Sequence, residues 1–266
     1  MPSRSACGSS SPPTAWSVAA SGPSRTGRGV SERRLSFGSV AETYDRVRPP
    51  YSKALLDLAQ ESLELGSSAR VLDLGAGTGR LTRELERRFA AVVAVEPDDR
   101  MRAVHGSALA GSAEAIPLGD ASVDAVFAGE AFHWFDHSVA IGEVARVLRP
   151  RGGLAIISTH WWETEPPLPD EAIELLREPY ERFRDQLPEP FDGAFEGSQF
   201  EPLHKQRDEE AITVGVDELL TLYSTTSSLA AIGADEREAL FARVRPLLAG
   251  PYRLPLKHEL TWTRLV

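Results

Sequence analysis

Cysteine is almost absent from the 266 residues. Cys7 stands alone, so no intrachain disulfide and no cysteine metal cluster can form. That fits a reducing compartment and leads to a cytoplasmic expectation. Lysine is scarce too: Lys53, Lys205 and Lys257 are the only three among 29 basic residues. The arginine and alanine excess reads as base-composition bias, not as a binding signal. No apolar run approaches the roughly 18 residues of a membrane span. Acidic residues outnumber basic ones, for a net charge of −10. This argues against binding nucleic acid through broad phosphate neutralisation. No histidine spacing matches a strong metal motif, so no metal is expected.

The first 31 residues contain no acidic side chain and are rich in Ser, Pro, Gly and Ala. Such a stretch cannot bury enough apolar area to offset its ordering entropy. Residues 1–32 are expected to be a disordered tail; a transit peptide or a downstream start are the alternatives. Residues 33–266 are expected to be one domain.

The rest of the chain is organised around Arg70–Arg80, RVLDLGAGTGR. Val71, Leu72 and Leu74 read as a buried strand. Gly75, Gly77 and Gly79 turn the chain, and Leu81, Leu85 and Phe89 begin a helical spacing. A strand, a glycine turn and a helix form a nucleotide site at the carboxyl edge of an α/β sheet. Further strands are expected at Ala91–Val95 (buried on both faces), Ala108–Gly111, Val123–Ala128 and Leu154–Ser158. Helices fall between them, at 80–89, 98–106 and 137–148. Helices are also expected before the first strand, one carrying Val40, Tyr44 and Val47 and one at 52–63. Beyond it, a helix at 170–186 sits in a proline-rich stretch. A strand at 201–213, helices at 216–229 and 235–248, and an alternating edge strand at 254–265 complete the chain. The fold class is therefore a doubly wound, Rossmann-like, mostly parallel seven-stranded sheet whose last strand is antiparallel. Its parts are expected to be N-terminal helices (33–66), a nucleotide-binding core (67–160), a substrate-side insertion (161–200) and C-terminal strands and helices (201–266).

Four groups of residues carry chemistry. The glycine turn reads D-x-G-x-G-x-G, with Arg80 where a dinucleotide fingerprint has its third glycine. Asp73 beneath the turn calls for a cationic ligand group or N–H donors, because an unpaired buried carboxylate is costly. Glu96 at the end of the second strand can accept bonds from ribose hydroxyls. The run Ala131–His137, AFHWFDH, follows the fourth strand where a reacting group would point. His133 there is a candidate acid or base; Phe132 and Trp134 would line the pocket, and His137 reads as helix surface. Thr159–Trp162 follows the fifth strand, offering His160 as a second candidate and Trp161 as a substrate contact. Arg177, Arg182 and Arg184 would meet an acidic substrate only if they leave the helix surface. The acidic run Asp208–Glu210 reads as a strand edge.

Val71–Thr82, Val95–Pro97, Ser112–Pro117, Asp124–Phe127 and Glu143–Gly153, in that order, resemble the class I S-adenosylmethionine-dependent methyltransferases. The chain is most similar to the methyltransferase type 11 group, which includes UbiE-like and trans-aconitate methyltransferase-like enzymes. This likeness covers residues 36–160. It implies that Asp73, Gly75, Ala76, Gly77 and Gly79 hold the methionine part of S-adenosylmethionine and that Glu96 holds its ribose. Pro97, Met101, Ala113 and Glu114 would lie by the adenine, and Glu130 and Tyr44 by the sulfonium, with Phe37 and Tyr44 in a closing segment. The expected partner is a small-molecule methyl acceptor at an O, N or C atom, with no nucleic acid and no membrane, and the protein a monomer or homodimer. An NAD(P)-dependent oxidoreductase and a non-catalytic cofactor-binding regulator are the competing readings.

Overall fold

The computed structural model describes residues 36–161, 167–184 and 190–266. The expectations for residues 1–32, and for Trp162, lie outside them. A 3-10 turn, Ser36–Val40, leads into α1, Ala41–Val47, and Pro49-Pro50 stop it. Helix α2, Lys53–Ser62, starts where the Ser52 hydroxyl accepts the Leu55 N–H. Alternation follows: β1 Arg70–Leu74, α3 Arg80–Glu86, β2 Ala91–Glu96, α4 Asp99–His105, β3 Leu109–Ala110, β4 Val123–Gly129, α5 His137–Val147 and β5 Leu148–His160. Then come α6 Asp170–Arg182, β6 His204–Val214, α7 Val216–Ser224, α8 Ser227–Ala231, α9 Ala234–Val244 and β7 Tyr252–Arg264.

The seven strands run in the order β3-β2-β1-β4-β5-β7-β6. Strands β1 to β5 pair in parallel, and β7 pairs antiparallel with both β5 and β6. The strand order reverses between β1 and β4, and a crevice opens at their carboxyl ends. Alternating β-strand side chains supply two cores. Val126, Ala128, Leu154 and Ile156 pack under α5, and Ala125, Phe127, Ala155 and Ile157 pack against α2 and α3. A third core joins α6 to α9 with Leu254 and Leu256. Among the described residues no helix is long and apolar enough to cross a membrane.

Four expectations need correcting. The terminal strand is not at an edge: β7 lies between β5 and β6, and β6 takes the edge. Strand β5 begins at Leu148, at the end of the expected 137–148 helix and well before the expected strand start at Leu154; Leu148 pairs with Val123 across a register shift. The 216–229 helix is two helices. The Ser224, Thr225 and Thr226 hydroxyls bond back to the carbonyls of Thr221, Leu222 and Tyr223, ending α7 at Ser224. Strand β2 is half-buried over Ala91–Val93, because its outer neighbour β3 covers only Val95 and Glu96.

Candidate functional site

The glycine turn is fixed from two sides. The Gly75 and Ala76 N–H groups donate to the Val95 carbonyl at 2.9 and 3.0 Å. Gly75 has φ 73°, and a Cβ there would sit 2.6 Å from the Ala131 Cβ. Gly77, at φ 56°, faces open space. Glu96 holds the turn to the next helix: its Oε2 accepts the Gly77 N–H at 2.9 Å and its Oε1 accepts the Asp98 N–H at 2.8 Å. Burial raises the Glu96 pKa, and these two bonds oppose that shift. Each oxygen keeps lone-pair capacity for a further donor.

Asp73 lies one layer beneath the turn, off the cavity wall and fully buried. Its Oδ2 accepts the Thr82 hydroxyl at 2.6 Å, and its Oδ1 has no hydrogen-bond partner. Burial pushes its pKa up to about 7, with the Thr82 bond opposing. The Thr82 hydroxyl hydrogen is committed to Asp73. His105 Nε2, 3.0 Å from the Thr82 oxygen, is therefore the donor of that contact. Gly79 serves this layer. It has φ 86° at the head of α3, and a Cβ there would meet the His105 ring at 2.9 Å.

Above the turn is a cavity of about 100 Å³, bounded by residues 75–78, Glu96, Pro97, Met101 and Ala113. Phe37, Tyr44 and Tyr51 close it from the N-terminal segment. Sequence reasoning placed Gly79 and Glu114 here, but neither is on the wall. The Glu114 carboxylate instead accepts the Asp136 N–H at the start of α5. Arg80 holds the covering segment down. Its guanidinium donates to the carbonyls of Asp45, Arg48 and Pro49 at 2.6, 2.5 and 2.8 Å. Arg83 adds an ion pair to Asp45.

A second cavity, of about 400 Å³, shares Phe37, Tyr44, Glu130, Ala131 and Trp134 with the first. The two spaces meet at that wall. Phe37 stands edge-on to both Tyr44 and Trp134, with 5.9 Å between centroids in each pair. Burial raises the Tyr44 pKa, and the Arg48 guanidinium lies 4.7 Å from its ring centre. Glu130 adopts φ 55°, a strained value for a side-chain-bearing residue. Its N–H donates to the Ile157 carbonyl at 3.0 Å, and its carboxylate accepts the Thr159 N–H. Thr159 in turn contacts His258 Nδ1 at 2.9 Å. Strain at β4 is thus anchored on β5 and β7.

His133, His160 and Phe132 line the second cavity. Trp161 does not. Side chains alternate along β5, so His160 faces the cavity and Trp161 is directed into the α6–α9 core. There it is 1% exposed and edge-on to Tyr223 at 5.0 Å. His137 is half-buried, stacked on Phe132, and its Nε2 donates to the Phe132 carbonyl. The sequence reading missed Tyr51, Arg48, Lys205, Glu259 and the Thr226–Leu229 stretch, all on the walls. Arg80 was visible only as a departure from the dinucleotide pattern.

A family model described as a methyltransferase domain matches residues 72–156. An uncharacterized methyltransferase of Mycobacterium tuberculosis is 45% identical over 172 residues, which are 59% of this chain and 66% of that relative's own length. The Bacillus subtilis YcgJ structure superposes with a TM-score of 0.52 at 20% identity, over 80% of this chain and 99% of its own. A Haemonchus contortus phosphoethanolamine N-methyltransferase 2, solved with S-adenosylhomocysteine, gives 0.51 at 14% identity, over 91% of this chain and 60% of its own. The ordered motifs, the β3-β2-β1-β4-β5-β7-β6 sheet and these likenesses agree, and the chain belongs to the class I S-adenosylmethionine-dependent methyltransferases.

Proposed function

We propose that the protein transfers a methyl group from S-adenosylmethionine to an O, N or C atom of a small molecule. One observation carries this reading: a cavity floored by the glycine turn and Glu96 adjoins a larger one across a wall formed by Phe37, Tyr44, Glu130, Ala131 and Trp134.

The residues present fit the cofactor. Gly77 leaves room for close approach, and the fixed Glu96 carboxylate can accept ribose hydroxyls. Met101 and Ala113 flank a narrow apolar slot for a planar base. The partnerless Oδ1 of Asp73 is a buried acceptor beneath the turn, which an ordered water can link to an ammonium in the cavity. When bound, the cofactor supplies a methyl group already activated by a sulfonium. Glu130 and the Tyr44 ring offer negative charge and a π-face at the junction. Residues 36–49, held by Arg80, act as a lid that excludes water. His133 and His160 are imidazoles on the acceptor side that can take a proton.

A dinucleotide fits less well. Arg80 donates to the lid carbonyls and so is committed away from a phosphate. A purely regulatory cofactor binder would leave the second cavity without a use. The working form is a cytoplasmic monomer or homodimer that binds no nucleic acid.

The test uses S-adenosylmethionine with a deuterated methyl group and small-molecule extract fractions. Acceptor-dependent formation of S-adenosylhomocysteine and a labelled product is expected. Cofactor binding with no transfer in any fraction would favour the regulatory reading.

A further inference from the structure

The larger cavity has walls that discriminate among acceptors. From them we infer that the acceptor is an uncharged, ring-bearing hydroxyl compound of phenol type, and not a carboxylate, phosphate or ammonium. This rests on the methyl-transfer reading of the same site.

Among the described residues of the wall, Lys205, Asp192 and Glu259 stand in ion pairs, and Arg48 and Glu130 are engaged by backbone groups. Lys205 Nζ lies 2.7 Å from Asp192 Oδ2 at the outer rim. Glu259 is paired at 2.7 Å with Arg207. Deeper in, the Arg48 guanidinium donates to the Thr225 carbonyl at 2.5 Å and lies against the Tyr44 ring. The two rim pairs are exposed and weigh little; an anionic acceptor deep in the cavity would have to draw Arg48 off the Thr225 carbonyl and leave that oxygen short. Arg177, Arg182 and Arg184 offer no substitute: none is on the cavity wall, and Arg182 pairs with Glu236 and Arg184 with Glu181. An ammonium acceptor meets the same obstacle with the signs reversed. Asp192 and Glu259 are matched, and Glu130 stands at the junction, where the donor's own cation would lie.

The uncharged part of the wall suits a ring. Phe132 meets Phe191 edge-on at 5.1 Å, and Trp134, Tyr180 and Tyr223 add further aromatic surface. Ile156 and Leu229 contribute aliphatic surface. Offset and edge-on contacts to such rings favour a planar apolar body. Ser158, Thr226, Ser228 and Thr261 supply hydroxyls, which recognise neutral polar groups without demanding charge. A volume of about 400 Å³ falls within the span of small-molecule sites.

The step balances with groups present. The acceptor oxygen's lone pair forms the O–CH3 bond as the C–S bond breaks, and that electron pair stays on sulfur. The hydroxyl proton passes to the His133 imidazole and from there to water. A phenol holds its proton near neutral pH, so a base of this kind has a task.

The test is calorimetric. The full chain, first titrated with S-adenosylhomocysteine, is titrated with 2-naphthol, 2-naphthoate and 2-naphthylmethylammonium. Naphthol is expected to bind at least tenfold more tightly than either charged probe. In Asp192→Asn, which frees Lys205 at an exposed position, naphthoate should gain several-fold while naphthol is unchanged. Equal or tighter binding of a charged probe overturns the inference, as does failure of naphthol to bind. Unaltered naphthoate binding in Asp192→Asn overturns the charge-matching argument. If S-adenosylhomocysteine itself does not bind, the donor reading fails separately, and the naphthol ranking on the free chain still decides the acceptor class.

Discussion

Replacing Glu96 with glutamine isolates what the carboxylate contributes. The side chain keeps its size, but one of its two oxygens becomes an N–H2 donor. Glu96 now bonds the Gly77 N–H through one oxygen and the Asp98 N–H through the other, at 2.9 and 2.8 Å. An amide can serve only one of them, and the other N–H then faces a donor. Hydrogen bonds to a charged group contribute about 1.5–3 kcal/mol each. Loss of one backbone bond should therefore lower the unfolding free energy by about that amount. The ribose also loses an acceptor. One further bond of that class is a roughly 10- to 100-fold rise in Kd for S-adenosylhomocysteine, since about 1.4 kcal/mol is tenfold. Titration calorimetry measures the affinity, and urea unfolding of the free protein measures the stability. A variant that loses stability yet binds S-adenosylhomocysteine with wild-type affinity would refute the ribose role and leave Glu96 as a staple of the turn.

Three further outcomes are expected. Arg80→Met removes three bonds to lid carbonyls. Hydrogen exchange over 41–47 should speed up, and KM for S-adenosylmethionine should rise about tenfold or more with a smaller change in kcat; unchanged exchange would show that the clamp does not hold the lid. Asp73 titrates near 7 when folded and near 3.8 otherwise, so between those values the folded chain holds a proton that the unfolded chain has released. Stability of the free protein should fall as pH climbs from about 4 to 7, then level. In Asp73→Asn that component is gone, so its stability relative to the parent should grow across the window; parallel urea curves at pH 5 and 7.5 would contradict this. Trp161→Ala should cost roughly 3–5 kcal/mol of stability as a core truncation. Trp134→Ala, on the shared wall, should cost less stability and much more activity; the reverse order in thermal unfolding and turnover would undo the placement of both.

The nucleotide half of the fold was legible because its signals are local. Val71–Leu74 is an apolar run broken by glycines, and β4 and the start of α5 follow the same logic. What escaped depends on distant partners. Leu148 is a strand residue because Val123 lies beside it, against the local appearance of Pro150 and two glycines. The 216–229 segment is apolar at helical spacing, yet three successive hydroxyls compete for its carbonyls. At the site, Glu96 and the turn were readable from spacing. The clamp of Arg80 was not, because its acceptors are backbone carbonyls more than 30 residues away. Position after the fifth strand points Trp161 toward the pocket, but one step of alternation past His160 carries it to the other face. The left-handed backbone at Glu130 has no sequence signal, since non-glycine residues take it only where the surroundings enforce it.

The most direct measurement is a pair of calorimetric titrations on the same preparation, one with S-adenosylhomocysteine and one with NADP+. One-site binding of S-adenosylhomocysteine, weakened by Glu96→Ala, with no heat from NADP+, is the result expected of a donor site floored by Gly75–Gly77 and Glu96. Tight NADP+ binding with no response to S-adenosylhomocysteine would contradict it.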